Sequence, residues 1–142
     1  MEIRDKTNQN KVSITFQEIT DRIKKISFKQ YDCVIAIGSG GIVPGSLIAF
    51  HLNIPLHILR INFRNTDNKP VYDCPQLLEK PDFKLTPPAK VLLVDDVSVT
   101  GSTFDKAKNL LSGHEITTLA FKGKAEIMIF PEVATCVLWP WK

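Results

Sequence analysis

Apolar residues along the chain follow two patterns, continuous runs and helical spacing. The near-continuous run at 31–37 predicts a strand that is buried on both faces, because such a strand does not alternate between apolar and polar positions. Further strands are predicted at 12–16, 56–61, 91–94 and 115–121. Helical spacing predicts amphipathic helices at about 16–29, 42–52 and 103–112. Thr15 and Glu18 have the spacing of a capping box at the start of the first helix.

The alternation of strands and helices at short spacing predicts the α/β class, with a mostly parallel twisted sheet flanked by helices. A length of 142 residues allows one sizeable core and is too short for two ordinary domains. Residues 1–11 are predicted to be a loose arm. Residues 62–88 are polar, rich in Asn, Asp, Lys and Pro and without a period, which predicts a mobile loop.

Composition and charge exclude several classes of protein. A net charge of +3 is too small to indicate nucleic-acid binding. No apolar run approaches the roughly 18 residues of a membrane span, and the polar start lacks the apolar segment of a secretory signal. Cys33, Cys74 and Cys136 show no CxxC spacing, which predicts reduced thiols in a cytoplasmic protein.

Residues 91–103 carry the clearest chemical signal. A buried strand ends in Asp95 and Asp96, and a loop then leads through Thr100–Thr103 into a helix. Backbone N–H groups at a helix start form an anion cradle, and Gly101 permits close approach of a phosphate. Two carboxylates would repel that phosphate, but they can accept hydrogen bonds from sugar hydroxyls, directly or through Mg²⁺. The segment therefore suits a ribose 5-phosphate.

Two other interpretations of this segment compete with a ribose 5-phosphate site. In the first, the acid pair only ends a strand and Ser102 only caps a helix, but the apolar run, the acid pair and the Thr-Gly-Ser-Thr sequence occur together. In the second, the chain is a receiver domain, which needs a phosphoacceptor aspartate on a later strand. No aspartate follows Asp105, so the second interpretation is set aside.

The segment 91–103 resembles the phosphoribosyl-pyrophosphate signature of the type I phosphoribosyltransferases. The glycine loop and the helix after it, residues 36–49, resemble the pyrophosphate loop of the bacterial xanthine–guanine enzymes. The resemblance extends from Val12 to Trp141 and includes the Phe121-Lys122 pair. It implies one phosphoribosyltransferase-like domain over 1–142, with a small C-terminal hood.

The resemblance implies a Mg²⁺-dependent transfer of ribose 5-phosphate from phosphoribosyl pyrophosphate to a nucleobase, a 6-oxopurine, with release of pyrophosphate. It implies small-molecule substrates, no nucleic-acid or membrane partner, and a homodimer or homotetramer. It assigns the ribose hydroxyls and Mg²⁺ to Asp95 and Asp96, and the 5′-phosphate to Val97, Ser98, Val99, Thr100, Gly101, Ser102 and Thr103. It assigns pyrophosphate to Ser39, Gly40 and Gly41, the lid to Arg60, Arg64 and Lys69, and the base to Lys122, Cys136, Val137 and Trp139. A cis peptide is expected at Ser39–Gly40.

Three positions depart from the family pattern. Val99 stands where the purine enzymes carry an acid, so no catalytic acid or base is assigned. Ser39 replaces a basic residue, and Cys136 replaces an aromatic that stacks on the base in some relatives. These departures leave open an alternative from another class, a non-catalytic sensor that binds phosphoribosyl pyrophosphate and regulates nucleotide metabolism.

Overall fold

The computed structural model describes residues 11–62 and 74–142, in which strands alternate with helices. The helices of this part are α1 (Phe16–Lys24), α2 (Ile42–Leu52) and α3 (Ser102–Leu110). Its strands are β1 (Val12–Ser13), β2 (Cys33–Gly38), β3 (Leu56–Asn62), β4 (Gln76–Leu77), β5 (Lys90–Ser98), β6 (Glu115–Gly123), β7 (Ile127–Met128) and β8 (Val137–Leu138). None of the helices described is long and apolar enough to cross a membrane.

The main sheet has six strands in the order β4-β3-β2-β5-β6-β7. All its pairings are parallel except that of β4, which runs antiparallel along the edge of β3. Strands β1 and β8 form a separate parallel pair that joins the two ends of the described chain. The predicted α/β class with a mostly parallel sheet is therefore confirmed.

Both faces of the sheet are covered by apolar side chains, which explains the unbroken apolar runs of β2 and β5. Val34 and Leu92 belong to the cluster on one face, together with residues of α1, α2 and the C-terminal segment. Ile35 and Leu93, the next residues along the same strands, belong to the cluster on the other face, under α3. Every residue of β2 is buried.

Helix α1 begins as predicted and ends earlier than predicted. The Thr15 hydroxyl accepts the Glu18 N–H at 3.1 Å, and the Glu18 carboxylate accepts the Thr15 N–H at 3.4 Å, which completes the capping box. The helix ends at Lys24 rather than near residue 29. Ile26 and Phe28 still pack against the core, but they do so at alternate positions of a non-helical connection.

Two further boundaries differ from the sequence prediction. Strand β5 continues past Val94 to Ser98, because its backbone pairs with β6 through to Ser98 opposite Gly123. The polar stretch 62–88 contains the short strand β4. Residues 1–10 of the predicted arm and 63–73 of the predicted mobile loop lie outside the described residues.

Candidate substrate-binding site

The acid pair lies near the carboxyl end of β5, in the middle of the sheet. The Asp96 N–H donates to Oδ1 of Asp95 at 2.8 Å, and the Val97 N–H donates to Oδ1 of Asp96 at 2.7 Å. Asp96 is 8% exposed and Asp95 is partly buried. Each carboxylate is thus fixed by one oxygen to the backbone, which leaves its Oδ2 atom as the acceptor for other partners.

Burial and mutual repulsion act on the ionisation of this pair. Burial raises the pKa of Asp95 well above the ordinary carboxyl value, and the negative charge of Asp96 raises it further. The positive charge of Lys142 acts in the opposite direction. A site that holds two such carboxylates side by side gains from any cation or hydrogen-bond donor that binds there.

The glycine loop between β2 and α2 lies directly against the acid pair, because β2 and β5 are neighbours with Ala36 opposite Val94. A Cβ atom at Gly40 would lie 2.7 Å from Oδ1 of Asp96. A Cβ atom at Gly41 would lie 2.6 Å from the Val94 carbonyl oxygen. Both distances are shorter than real Cβ contacts, so only glycine fits against the backbone at Gly41, and any side chain at Gly40 would displace the Asp96 carboxylate. The structure thus brings the two predicted motifs into one site.

The cis peptide of this loop is Gly38–Ser39, so the expectation of a cis bond at Ser39–Gly40 is wrong by one residue. The Gly41 N–H donates to the Ile37 carbonyl at 2.7 Å, which turns the chain into α2. The N–H groups of Ser39 and Gly40 donate to no other group in the described parts of the chain. Helix α2 has no side-chain cap at Gly41, and the Ile42 N–H donates to the Ser39 carbonyl at 3.1 Å. The donors left for a ligand next to Asp96 are therefore the N–H groups of Ser39 and Gly40, just before the helix.

The predicted 5′-phosphate loop is shorter than the sequence suggested. Val97 and Ser98 belong to β5, where Val97 lies opposite Lys122 and Ser98 is buried. The loop proper comprises 99–101, and Ser102 and Thr103 open α3. Gly101 caps α3 with a φ of 86°, a left-handed conformation that favours glycine.

The hydroxyls of this second loop are already organised around the start of α3. Thr100 Oγ1 lies 2.8 Å from Ser102 Oγ, and the Ser102 N–H donates to Thr100 Oγ1 at 3.3 Å. Within the residues described, the N–H groups of Gly101 and Thr103 have no hydrogen-bond partner. Val99 is 47% exposed and carries no ionisable group. The loop can therefore offer amides and hydroxyls to an anion.

The predicted base-binding residues do not all reach the site. Lys122 lies in β6 itself, beside β5 just beyond the acid pair. Trp139 is 4% exposed, stacks on Trp141 at 5.1 Å between ring centroids and meets Phe121 edge-on at 5.8 Å. Its ring thus packs in the hydrophobic core of the ligand-free protein, and a contact of Trp139 with a base stays a prediction. Cys136 is exposed and Val137 is partly buried in β8.

The predicted lid residues are described only in part. Arg60 lies at the carboxyl end of β3 opposite Gly38, and its Nε atom lies 3.7 Å from Oε1 of Glu79. Arg64 and Lys69 lie outside the described residues. Arg60 thus lies next to the glycine loop, and it forms an ion pair with the exposed carboxylate of Glu79.

One residue of this site, Lys142, has no signal in the sequence. Its Nζ atom donates to Oδ2 of Asp96 at 3.2 Å. This is the carboxylate oxygen that accepts no hydrogen bond from the backbone. A basic residue after an apolar tail carries no pattern that points to a contact 46 positions earlier in the chain.

Among the residues described, no cluster of three or more His, Cys, Asp or Glu side chains could hold a metal ion.

The fold and the site together define an α/β protein that presents an acid pair and two helix starts at the carboxyl edge of a parallel sheet, where such folds bind ligands. The phosphoribosyl transferase domain family matches residues 9–139. The chain belongs to this family, and the resemblance to the type I phosphoribosyltransferases is confirmed.

Individual relatives differ in the base that their names state. An orotate phosphoribosyltransferase from Sulfurisphaera tokodaii is 31% identical over 117 residues, which cover 80% of this chain and 53% of the relative. The chain thus spans about half the length of this curated relative. A purine phosphoribosyltransferase from Pyrococcus horikoshii has a TM-score of 0.70 at 23% identity, covering 94% of this chain and 95% of that one. A Helicobacter pylori xanthine-guanine-hypoxanthine phosphoribosyltransferase has a TM-score of 0.66 at 11% identity, covering 91% and 92%.

Proposed function

We propose that this protein is a Mg²⁺-dependent phosphoribosyltransferase that transfers ribose 5-phosphate from phosphoribosyl pyrophosphate to a nucleobase, with release of pyrophosphate. The observation that carries the proposal is the contact of Gly40 with the Asp96 carboxylate. This contact places a loop with free N–H donors beside an acid pair, and those are the two groups that a sugar carrying a pyrophosphate requires.

Each part of the donor has a matching part of the site. The Oδ2 atoms of Asp95 and Asp96, which the backbone does not bind, accept hydrogen bonds from the ribose hydroxyls. The amides and hydroxyls at the start of α3 bind the 5′-phosphate, because a helix start favours negative charge. The N–H groups of Ser39 and Gly40 bind pyrophosphate at the start of α2.

The acid pair also fits a magnesium ion, provided that the donor supplies further ligands. Mg²⁺ in proteins is commonly held by one or two carboxylates together with waters and substrate phosphates. Asp95 and Asp96 offer those carboxylates, and the described chain offers no larger ligand cluster. When bound with the donor, the ion would neutralise charge on the leaving pyrophosphate.

The residues of this site act on the reaction through position and charge. Positive charge grows on the ribose as the bond to pyrophosphate lengthens, and the carboxylates of Asp95 and Asp96 lie where they can stabilise it. Amides of the glycine loop can stabilise the negative charge that grows on the leaving group. Val99 can neither accept nor donate a proton, so proton transfer from the base falls to another group or to water.

A 6-oxopurine is the proposed acceptor. Lys122 lies in β6 opposite Val97, one strand away from the acid pair, and its ammonium can donate to an exocyclic oxygen of a base. The similarity of fold to purine phosphoribosyltransferases over more than nine-tenths of the chain supports the same choice. Orotate is the second candidate, because a relative 31% identical to this chain is an orotate phosphoribosyltransferase.

A non-catalytic sensor of phosphoribosyl pyrophosphate is the alternative from another class. Val99 favours it, because the loop lacks a proton acceptor at that position. Ser39 favours it as well, because the pyrophosphate loop lacks a charged side chain there. A sensor would bind the donor through the same site without transferring its sugar.

Pyrophosphate release from the donor, measured with Mg²⁺ and with hypoxanthine, guanine, xanthine or orotate in turn, tests these candidates. Release of pyrophosphate with an oxopurine supports the 6-oxopurine as the acceptor. Release with orotate alone means that orotate is the acceptor instead. If calorimetry shows donor binding but no base gives release of pyrophosphate, the result supports the sensor. If the donor does not bind at all, the site is refuted.

Lys122→Met should lower kcat/KM for the oxopurine by about tenfold or more, since a hydrogen bond to a charged group contributes about 1.5–3 kcal/mol. Lys124→Met, an exposed neighbour, is the matched control.

We also infer that the protein is cytoplasmic and forms a homodimer or homotetramer. Support comes from the phosphoribosyl transferase family and from the free thiols of Cys33, Cys74 and Cys136. Light scattering coupled to size-exclusion chromatography measures the oligomeric state, and a monomer across the accessible concentration range would contradict this inference.

A further inference from the structure

Lys142 occupies the part of the acid pair that a ligand would need. The Oδ1 atom of Asp96 is committed to the Val97 N–H, and Gly40 closes one side of the carboxylate. The remaining oxygen, Oδ2, accepts a hydrogen bond from Lys142 Nζ at 3.2 Å. A ribose hydroxyl or a cation that approaches Asp96 therefore meets an ammonium group already in place.

The lysine is presented by a short turn that is anchored in the core. The Lys142 N–H donates to the Trp139 carbonyl at 3.2 Å, and Trp139 is 4% exposed. Trp141 stacks on Trp139 and lies 6.0 Å from the Phe121 ring, centroid to centroid. In the ligand-free protein this packing places the backbone of Lys142 where its side chain can reach Asp96.

Two observations indicate that the contact can be exchanged. The Lys142 side chain is 58% exposed whereas that of Asp96 is 11% exposed, and ion pairs with one solvated partner are weak. The indole N–H of Trp141 is buried and has no hydrogen-bond partner among the residues described. A buried donor without a partner is costly, so this turn stands to gain a hydrogen bond if it shifts.

We propose that Lys142 is an internal counter-ion of Asp96, which holds the acid pair in the ligand-free protein and is displaced when the sugar pyrophosphate with its divalent cation binds. The proposal rests on the proposed function, because it takes Asp96 as part of the donor site. Donor binding would then release the lysine from Asp96 and shift the turn formed by Trp139–Lys142. Lys142 would therefore oppose donor binding in the resting protein.

The test is the dissociation constant of phosphoribosyl pyrophosphate, measured by calorimetry in the presence of Mg²⁺. Lys142→Met removes the competing charge and should tighten donor binding about two- to fivefold, the range expected for loss of one partly solvated ion pair. Lys142→Arg keeps the charge and should bind the donor as the wild type does. Lys90→Met is the matched control, because Lys90 is exposed at the opposite end of the same strand.

Tryptophan emission gives a second readout that does not depend on turnover. Both tryptophans of the sequence lie in the turn, so emission reports on it directly. Addition of the donor with Mg²⁺ should shift the emission of the wild type, and ligand-free Lys142→Met should already be shifted in the same direction. Unchanged wild-type emission on saturation would overturn the displacement.

The results separate this proposal from the proposed function. If the wild type binds no donor, the proposed function fails and the role of Lys142 fails with it. If the wild type binds donor and Lys142→Met binds it equally well, the lysine is only an exposed side chain. If Lys142→Met binds it more weakly, Lys142 contacts the donor instead of competing with it. Either of the last two results leaves the phosphoribosyl pyrophosphate site in place and refutes the counter-ion.

Discussion

Helix α2 packs closely on strand β2 at Gly45. Replacing this glycine with alanine has two opposite effects on stability, one from helix propensity and one from packing. Gly45 lies inside α2, where replacing glycine with alanine normally stabilises a helix by about 0.8–1 kcal/mol. A Cβ atom at Gly45 would, however, lie 2.6 Å from the Cβ atom of Ala36 in β2. Overpacking of this kind costs about 1–3 kcal/mol. Because 2.6 Å is far below an ordinary contact, we take a cost of about 2–3 kcal/mol, the upper half of that range. After the gain in helix propensity is subtracted, Gly45→Ala should lower the free energy of unfolding by about 1–2 kcal/mol, or roughly 3–6 °C in Tm for a chain of this size.

A double-mutant cycle shows whether that loss comes from the contact itself. Ala36→Gly alone should cost about 1–2 kcal/mol, through a lost methyl contact and added strand flexibility. In the double variant, the nearest atoms to the new methyl are Ala36 Cα at 3.4 Å and Leu56 Cδ1 at 3.5 Å, which are ordinary contacts. The double variant should therefore lose about 2 kcal/mol less than the sum of the single variants.

Urea denaturation followed by circular dichroism measures all three variants, with Ser46→Ala as the control. Ser46 is the next residue of the same helix, and its hydroxyl donates only to the Ile42 carbonyl of its own helix. The control should stay within about 0.5 kcal/mol of the wild type. If Gly45→Ala is as stable as the wild type or more stable, α2 does not lie this close to β2. Additive losses in the double variant would likewise refute the reasoning.

Three further predictions concern the acid pair and the first helix. Gly40→Ala should weaken donor binding at least tenfold in calorimetry with little change in Tm, because the new Cβ would displace the Asp96 carboxylate rather than the backbone. Burial and the charge of Asp96 raise the pKa of Asp95 in the folded state. Between the ordinary pKa and this raised pKa, the folded protein binds more protons than the unfolded protein. The free energy of unfolding therefore falls as pH rises through that window. Asp95→Asn should therefore stabilise the ligand-free protein at pH 7 by about 0.5–2 kcal/mol and flatten that dependence in melts from pH 4 to 8. Thr15→Ala should cost about 0.5–2 kcal/mol in thermal melts, since it removes the 3.1 Å bond to the Glu18 N–H.

The parts of the fold that sequence could predict are those whose side chains face a core. Strand β2 and the first half of β5 are covered on both faces, so their apolar runs identify them directly. The second half of β5 was missed because Asp95 and Asp96 interrupt the apolar pattern. Its strand conformation depends instead on backbone pairing with β6, such as Asp95 opposite Ala120, and that pairing does not depend on hydropathy.

The candidate site, like the fold, could be predicted from the sequence only in part. The acid pair and the glycine loop could be predicted as one site, because the glycine loop follows β2, the acid pair lies near the carboxyl end of β5, and parallel strands end at one edge of a sheet. Trp139 could not be placed, since a buried aromatic and an aromatic that stacks on a base look alike in sequence. Lys142 could not be found either, because its contact with Asp96 depends on how the Trp139–Trp141 stack packs against Phe121.

The geometry also explains why the donor half of the site can persist while the acceptor changes. In the proposed site the donor would be bound mainly by backbone amides, beside glycines that leave no room for a Cβ atom, so departures such as Ser39 and Val99 would leave those contacts in place. Recognition of the base would depend instead on individual side chains beside β6, among which we propose Lys122. Relatives with the same sheet act, by their names, on purines or on orotate. The choice between those acceptors, and between transfer and sensing, must therefore be tested at the side chains beside β6.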